Sequence, residues 1–563
     1  MRAFGLMLAI ACCASAVAGQ GFVDVTKTAG VTHAHKNRTF RNQYSEIMAG
    51  YTALGSAVAV ADFDQDGDDD FYLTSSEDGS KNHLYRNDGG FRFTEVGEAA
   101  GVADANDAHN ACADALWFDY NGDRYPDLLL VRFGSDALYE NLGDGTFRDV
   151  TRQAGLGELS NSITAIAFDY DRDGDLDLAV GAYFQPVDLF EPDSPRFFPE
   201  SFETAANGGG MTLYRNDKGK FTDVTDAAGL RYHGWTLDLG HADADQDGDD
   251  DIYAAVDFGP DHLFRNNGDG TFTDVSESAI GIDTKKGMNV DWGDYDNDGL
   301  LDIYVTNIFD DYMREGNFFW KNLGDWRFLD VAKETGTART GWGWAAKFFD
   351  YDNDGWLDLY VLNGWVSAGN ESYVPDIFQM IVQNEGDFAD VRKWPPMGNK
   401  SLSGCQTKML FHNDGDGSFL ETAARYHLDS KADARGLAVV DFDQDGSVDL
   451  VATNAGSAPI LYRNQIEGRG HWIQFRLVGK AGNPEAIGAQ IHLRAGDVTL
   501  MRFVDGGNGF AGQSSTAVHF GLGAQTKVDA IDVRWPDGSR QSFSGLRVDK
   551  RHVLRQGERG ISE

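Results

Sequence analysis

Nine residues, DFDQDGDDD from Asp62 to Asp70, hold six carboxylates. Their spacing, D-x-[DN]-x-D-x-x-x-D, starts seven times along the chain, at Asp62, Asp119, Asp169, Asp243, Asp294, Asp350 and Asp441. Two carboxylates 4 Å apart repel by about 1 kcal/mol in water and by about 4 kcal/mol at the effective dielectric of a protein surface. A chain that repeats such crowding seven times must fold so that something cancels it. Most starts are 50 to 57 residues apart, and two longer gaps of 74 and 91 residues mark insertions. That is the period of a repeat architecture, and it constrains the fold more than any other feature here.

Each repeat reads as four short strands. In the first, AVAVADF runs into the acidic loop and DFYLT leaves it, while HLYRN and FRFTEV form a hairpin across a glycine turn. The third strand always ends in asparagine: Asn87, Asn141, Asn216, Asn266, Asn322, Asn413 and Asn464. Four strands per repeat at this length predict the blades of an all-β propeller. The fourth-strand pattern starts at Phe22, Phe93, Phe147, Phe221, Phe272, Phe328 and Phe419. Its first copy precedes every acidic loop, and no copy follows Asn464. The expectation is therefore a seven-bladed propeller over 19–466, its last blade closed by the strand at 22–25, which removes an exposed edge. The rival is that His471 to Val478 completes that blade instead.

The loops themselves predict a metal. Positions 1, 3, 5 and 9 are Asp62, Asp64, Asp66 and Asp70 in the first loop, and Asp119, Asn121, Asp123 and Asp127 in the second. The third offers Asp169, Asp171, Asp173 and Asp177; the fourth, Asp243, Asp245, Asp247 and Asp251. Asp294, Asp296, Asp298 and Asp302 follow in the fifth, then Asp350, Asp352, Asp354 and Asp358 in the sixth. Asp441, Asp443, Asp445 and Asp449 make up the last. An oxygen-only set suits a hard cation, and glycine at position 6 permits the sharp turn. Position 12, where an EF-hand carries glutamate, holds Leu73, Leu130, Val180, Ala254, Val305, Val361 and Ala452, so these are not EF-hands. Five or more flexible oxygens favour Ca²⁺ over Mg²⁺, and zinc lacks its usual His and Cys ligands. Up to seven calcium ions are expected. The site at Asp119 is the weakest, because Asn121 replaces an aspartate and Arg124 stands where glycine is expected.

Composition narrows the class. A formal net charge of -41 repels nucleic acid and anionic lipid and favours divalent cations or basic partners. With 12% aromatic residues the chain has the means to build a core, unlike an acidic disordered tail. The N-terminus, one arginine, an apolar run and Ala16-Val17-Ala18, reads as a signal peptide (1–18) cut near Ala18. A membrane anchor and a lipoprotein lipidated at Cys12 are the alternatives. Beyond it no run of about 20 apolar residues suggests a span. Cleavage leaves Cys112 and Cys405, which allow one disulfide at most.

These repeats resemble FG-GAP/VCBS repeats, the blades also found in integrin α-subunit propellers, from about Phe22 to Asn464. After that the chain resembles an ASPIC/UnbV domain, through Ile487-Gly488-Ala489, Gln513-Ser514, His519 to Gly523 and Arg534 to Gly538. Together they are similar to the cartilage acidic protein family and its bacterial relatives. The chain lacks the EGF-like cysteine cluster of some animal members, which points to a bacterial-type member. The resemblance implies a secreted calcium-binding protein and supplies no agreed activity. Alternation between glycine turns makes 467–563 a small β domain, a sandwich or barrel. There His519, Arg534, Trp535 and Asp537 form either a ligand site or, as the blander reading has it, a strand end and turn.

No H-E-x-x-H, G-x-S-x-G, P-loop, G-x-G-x-x-G or C-x-x-C-H signature occurs. His109, His233, Trp235, Lys286, Trp342 and Arg435 lead into the first strands and are expected near one mouth of the channel. The insertions, Tyr183 to Thr212 and Asn363 to Lys408, exceed blade turns and read as recognition loops. The leading function is a secreted, periplasmic or extracellular recognition or adhesion module for a protein or carbohydrate, with structural calcium and no catalysis. Alternatives are a hydrolase or lyase working at the channel mouth on a carbohydrate or ester, and a calcium-buffering matrix component.

Overall fold

A computed structural model describes residues 21–42, 45–47, 55–194, 198–383, 391–558 and 561–562. The expected signal peptide lies outside the described residues. The chain is all-β and propeller-like, and among the described residues seven sheets are built from the repeats. The first contains Val58–Ala61, Asp70–Leu73, His83–Asn87 and Phe93–Glu95, each antiparallel to the next. The acidic loop joins the first strand to the second in every sheet. Small and β-branched residues fill the first strands because both faces are covered; Ala111–Phe118 and Ser162–Phe168 are buried throughout.

The seventh sheet holds Ala434–Val440, Asp449–Asn454 and Ile460–Asn464, with Phe22–Asp24 as its fourth strand. Phe22 lies opposite Asn464, and Asp24 opposite Tyr462. His471–Val478 is elsewhere, between Val518–Gly523 and Lys550–Arg555. The first strand of each sheet contacts that of the next, and that of the seventh contacts that of the first. Apolar cores fill the spaces between neighbouring sheets. Between the seventh and the first, Phe442 meets Phe71, Phe91 and Phe93 at centroid distances of 5.7, 6.0 and 5.0 Å.

The two insertions are ordered over their described residues. The first sends Tyr183, Phe184, Leu189 and Phe198 into a core with Trp235 and Phe510. The second contains a helix, Val374–Gln383, which the sequence pattern did not reveal. Among the described residues, no helix is long and apolar enough to cross a membrane. Cys112 is buried, Cys405 exposed, and both are free thiols.

The C-terminal segment forms two four-stranded sheets around a shared apolar core, with Phe475, Ile491, Phe520 and Ile531 fully buried. From one of them a glycine-rich stretch, 505–515, extends along the first strands of the repeat sheets. Gly512–Gln513 pairs parallel with Val58 and Ala59. Gly506 O accepts from Ala167 N, Asn508 Oδ1 from His241 N, and Gln513 Oε1 from Trp117 N. Phe510 N donates to Asn289 Oδ1, Lys347 Nζ to Asn508 O, and Val439 N to Ser514 Oγ. This single stretch touches the first strand of all seven sheets. Glycine is required by proximity: a Cβ on Gly506 would lie 2.1 Å from Ala167 O, and one on Gly512 would lie 2.2 Å from Leu437 O.

Candidate metal centres

In each acidic loop the backbone is folded around its own carboxylates. Oδ2 of the first aspartate accepts the N–H of the sixth residue in all seven, at 2.6 to 3.2 Å. Oδ1 of the fifth accepts the N–H of the seventh at 2.8 to 3.0 Å. The ninth aspartate ties three strands together. Its Oδ2 accepts from the second residue at 3.0 to 3.3 Å. Its Oδ1 accepts from the N–H of the third-strand asparagine at 2.7 to 2.9 Å.

Positive φ is needed twice per loop, at positions 4 and 6. Six loops use Gly at position 6 and accept a residue such as Gln65 (φ 57) or Asn353 (φ 61) at position 4. The second loop exchanges them: Gly122 (φ 79) takes position 4 and Arg124 (φ 81) position 6. It keeps the same turn, with a left-handed arginine where a side chain costs about 1 kcal/mol.

The carboxylates converge. Ligand atoms of Asp62, Asp64 and Asp66 lie within 4.8 Å of one another, as do those of Asp169, Asp171 and Asp177, and of Asp243, Asp245 and Asp251. In the sixth loop Asp352 and Asp358 converge with His412, from the neighbouring strand. Burial pushes Asp70, Asp127 and Asp177 up to about 9, with the neighbouring aspartates adding to the rise against backbone hydrogen bonds. Asp169 and Asp294 are raised to about 7 by burial as well. Oδ1 of Asp62, Asp169, Asp243, Asp296 and Asp352 is buried with no hydrogen-bond partner. A buried carboxylate oxygen without a donor is costly, and a divalent cation is the natural group to satisfy it. The residues fit a hard cation.

The asparagines that end the third strands stand out in the sequence, but their role does not. Each Nδ2 donates to the carbonyl of loop position 2 in the preceding repeat: Asn141 to Phe63, Asn216 to Tyr120, Asn266 to Tyr170, Asn322 to Ala244, Asn413 to Tyr295 and Asn464 to Tyr351, at 2.8 to 2.9 Å. Asn87 donates to Phe442 O at 3.1 Å, joining the first repeat to the seventh. Their recurrence at one place in the repeat was the available signal.

The C-terminal domain covers several loops. Arg476 reaches Asp62 and Asp69, Arg534 reaches Asp243, and Gln474 donates to Asp441 Oδ2 at 2.9 Å. His519 Nε2 is 2.7 Å from Asn353 Oδ1. His519, Arg534, Trp535 and Asp537 are therefore not one site. Trp535 is core, and Asp537 organises a turn through Ser539.

At the other ends of the first strands, Lys286 and Trp342 line an aromatic cavity of about 400 Å³ walled by both insertions. Trp342 stacks on Trp365 at 4.1 Å, and its Nε1 is buried without a hydrogen-bond partner. Lys286 Nζ pairs with Glu315 Oε1 at 2.9 Å, and Tyr183 Oη donates to Asp257 Oδ2 at 2.7 Å. Arg435 is buried against Trp344. Trp235 is packed in the core, and His109 and His233 are exposed, outside the cavity lining. The six expected mouth residues thus do not form one cluster.

Comparison with known proteins places these features. The model of the FG-GAP-like repeat matches residues 119–180 and 243–305, and that of ASPIC and UnbV matches residues 479–561. Human cartilage acidic protein 1 is 27% identical over 312 residues, 52% of this chain and 40% of that protein. The Xenopus tropicalis protein of the same name is 29% identical over 303 residues, 51% of this chain and 40% of its own length. The chain thus spans less than half the length of these relatives. A lectin from Agrocybe aegerita recognising non-reducing terminal N-acetylglucosamine superposes with a TM-score of 0.34 at 16% identity, over 73% of this chain and 94% of the lectin. That likeness is too low to carry an argument. The chain carries FG-GAP-like repeats followed by an ASPIC and UnbV domain, and it is a homologue of cartilage acidic protein 1.

Proposed function

We propose that this chain is an extracellular or cell-envelope recognition module: a propeller of seven blades over 19–466, closed by its N-terminal strand, stabilised by calcium, with a smaller β domain at 467–563. The observation that carries the calcium reading is the recurrence of buried, partnerless Oδ1 atoms in the loops, at Asp62, Asp169 and Asp243 among others. Calcium at tenfold excess over its Kd adds about 1.4 kcal/mol per site, so seven sites add on the order of 10 kcal/mol, comparable to the whole stability of a domain. The asparagine links, Asn87 to Phe442 included, support a closed ring.

Recognition is assigned to the aromatic cavity at the mouth opposite the loops. Concave, largely apolar sites with a few polar groups are where ligands dock. Trp342 lines the cavity with one ring face stacked on Trp365 and an indole N–H buried without a partner, and Lys286, Glu315 and Asp257 line the same cavity. The ligand is a carbohydrate or a partner protein that presents a ring to that cavity. Glycan-array and pulldown screening in millimolar calcium tests this, with Trp342→Ala as the variant. Binding that survives both Trp342→Ala and calcium removal would sink the proposal.

A further inference from the structure

The sixth loop differs from the others in one donor. The residue before each third-strand asparagine is Arg86, Glu140, Arg215, Arg265, Lys321, His412 or Arg463. Two of the five long cations there pair with the acidic loop, Lys321 with Asp296 and Arg463 with Asp443, while Arg86 and Arg215 pair with Asp88 and Asp217 of their own hairpins. Neither lysine nor arginine ligates a metal in its charged form. An imidazole does, and it is the commonest nitrogen ligand in proteins.

We propose that the sixth loop is a transition-metal site, with Asp352, Asp358 and His412 as ligands, in a chain whose other loops take calcium. The proposal rests on the reading of the loops as cation sites and adds selectivity to one of them. His412 Nδ1 lies 3.0 Å from Asp358 Oδ1 and 3.9 Å from Asp352 Oδ2. Ligand atoms held at about 2.0 to 2.2 Å from one small ion are separated by about 3 to 4 Å; the two distances from His412 fall in that range, the first of them a hydrogen bond that an ion would replace, and ligand atoms of all three residues lie within 4.8 Å of one another. Asp358 is fully buried, while His412 and Asp352 are 22% and 23% exposed, which leaves an entry path. Asp352 Oδ1 is buried with no partner. On the far side of the ring, Asp414 Oδ1 is 4.0 Å from His412 Nε2, beyond hydrogen-bond reach. A mixed nitrogen and oxygen set suits Zn²⁺ or Mn²⁺, whereas calcium takes oxygen alone.

The test uses the full mature chain saturated with calcium, several-fold above the roughly 1 mM at the weak end of extracellular modules. Zn²⁺ is then titrated calorimetrically, and Co²⁺ is added in parallel to read visible d–d absorption. His412→Arg installs the residue used by the first, third, fourth and seventh repeats, and His412→Lys the residue of the fifth. Expected is one equivalent of Zn²⁺ bound over calcium, weakened at least tenfold in both variants and in Asp352→Asn, with calcium uptake elsewhere unchanged. Normal calcium uptake without Zn²⁺ uptake overturns this proposal and leaves the calcium reading standing. Zn²⁺ uptake unaffected by both histidine variants also overturns it, placing the ion elsewhere, for instance at His109, Asp188 and Glu191, whose ligand atoms also lie within 4.8 Å. Loss of all calcium uptake by the wild-type chain overturns the reading beneath it.

Discussion

Arg476 Nη1 donates to Asp62 Oδ2 at 2.5 Å, so a cation of the C-terminal domain holds one oxygen of a carboxylate whose other oxygen has no partner. The same guanidinium reaches Asp69 Oδ1 at 2.8 Å, which spans two acids of one loop. Arg534 repeats the arrangement at Asp243, whose Oδ1 is likewise partnerless. The first aspartate is thus shared: one oxygen faces the domain above, and the other is left for the loop interior. Domain docking and loop neutralisation use the same side chains.

Arg476→Ala should therefore act on stability. It leaves Asp62 and Asp69, whose side chains are 9% and 2% exposed, without their cation. Breaking a fully buried pair costs about 3 to 5 kcal/mol, and the 22% exposure of Arg476 discounts that to about 2 kcal/mol. Urea unfolding of the calcium-free protein measures it. A loss below about 0.5 kcal/mol, the level of an ordinary surface change, would show that the contact is incidental.

Chelation should reverse the pH dependence of melting. In metal-free protein Asp70, Asp127 and Asp177 are raised to about 9 by burial, far above an unfolded aspartate near 3.9. The folded state then binds protons that the unfolded state has released. Their stabilisation is complete below about pH 4 and is lost as pH rises through about 9. With EDTA, Tm should be higher at pH 5 than at pH 8. With calcium the carboxylate form is held, so acid competes with the ion and the order inverts. Scanning calorimetry at the two pH values, with and without calcium, checks both signs.

Asn266 and Asn267 are adjacent, and only the first bridges repeats. Asn266 Nδ2 donates to Tyr170 O at 2.9 Å and to Asp250 O at 3.3 Å, while its Oδ1 accepts from Gly268 N. Asn266→Ala strands buried carbonyls, each worth about 1 to 3 kcal/mol, and should cost about 2 to 4 kcal/mol. Asn267 is exposed and bonds locally to Thr271. Asn267→Ala should cost less than about 0.5 kcal/mol. Equal effects in denaturant melts would mean that the inter-repeat bond contributes nothing.

The acidic loops were legible because their meaning lies in local spacing, which a sequence displays directly. The strand at Phe22 was legible through a count, since one strand pattern stood before the first loop and none after the last. The asparagine bonds were not, because each partner lies in another repeat, 96 residues away for Asn266 and Tyr170. Arg476 sits inside HWIQFRLV, a strand with no charge pattern to mark it as a clasp. The mouth residues were misread as a group because position along a strand says nothing of which side chains turn inward. The stretch at 505–515 reads as a glycine-rich turn, and nothing in its composition says that seven strands surround it.

That stretch yields the sharpest steric prediction. Gly506 lies where a Cβ would meet Ala167 O at 2.1 Å and His241 Nε2 at 2.5 Å. Its φ is not in the left-handed region, so Gly506→Ala tests proximity rather than backbone strain. Overpacking of this kind costs about 1 to 3 kcal/mol. Because the contact joins the C-terminal domain to the first strands, the expected effect is also local: faster proteolytic cleavage within 505–515. Gly259 is the control, since it is buried, also lacks a positive φ, and offers an added Cβ nothing closer than 3.4 Å. Gly259→Ala should melt within a degree or two of wild type and resist cleavage. If Gly506→Ala behaves like it, the stretch has room to move, and the C-terminal domain is held by its arginines at the acidic loops rather than by its insertion among the first strands.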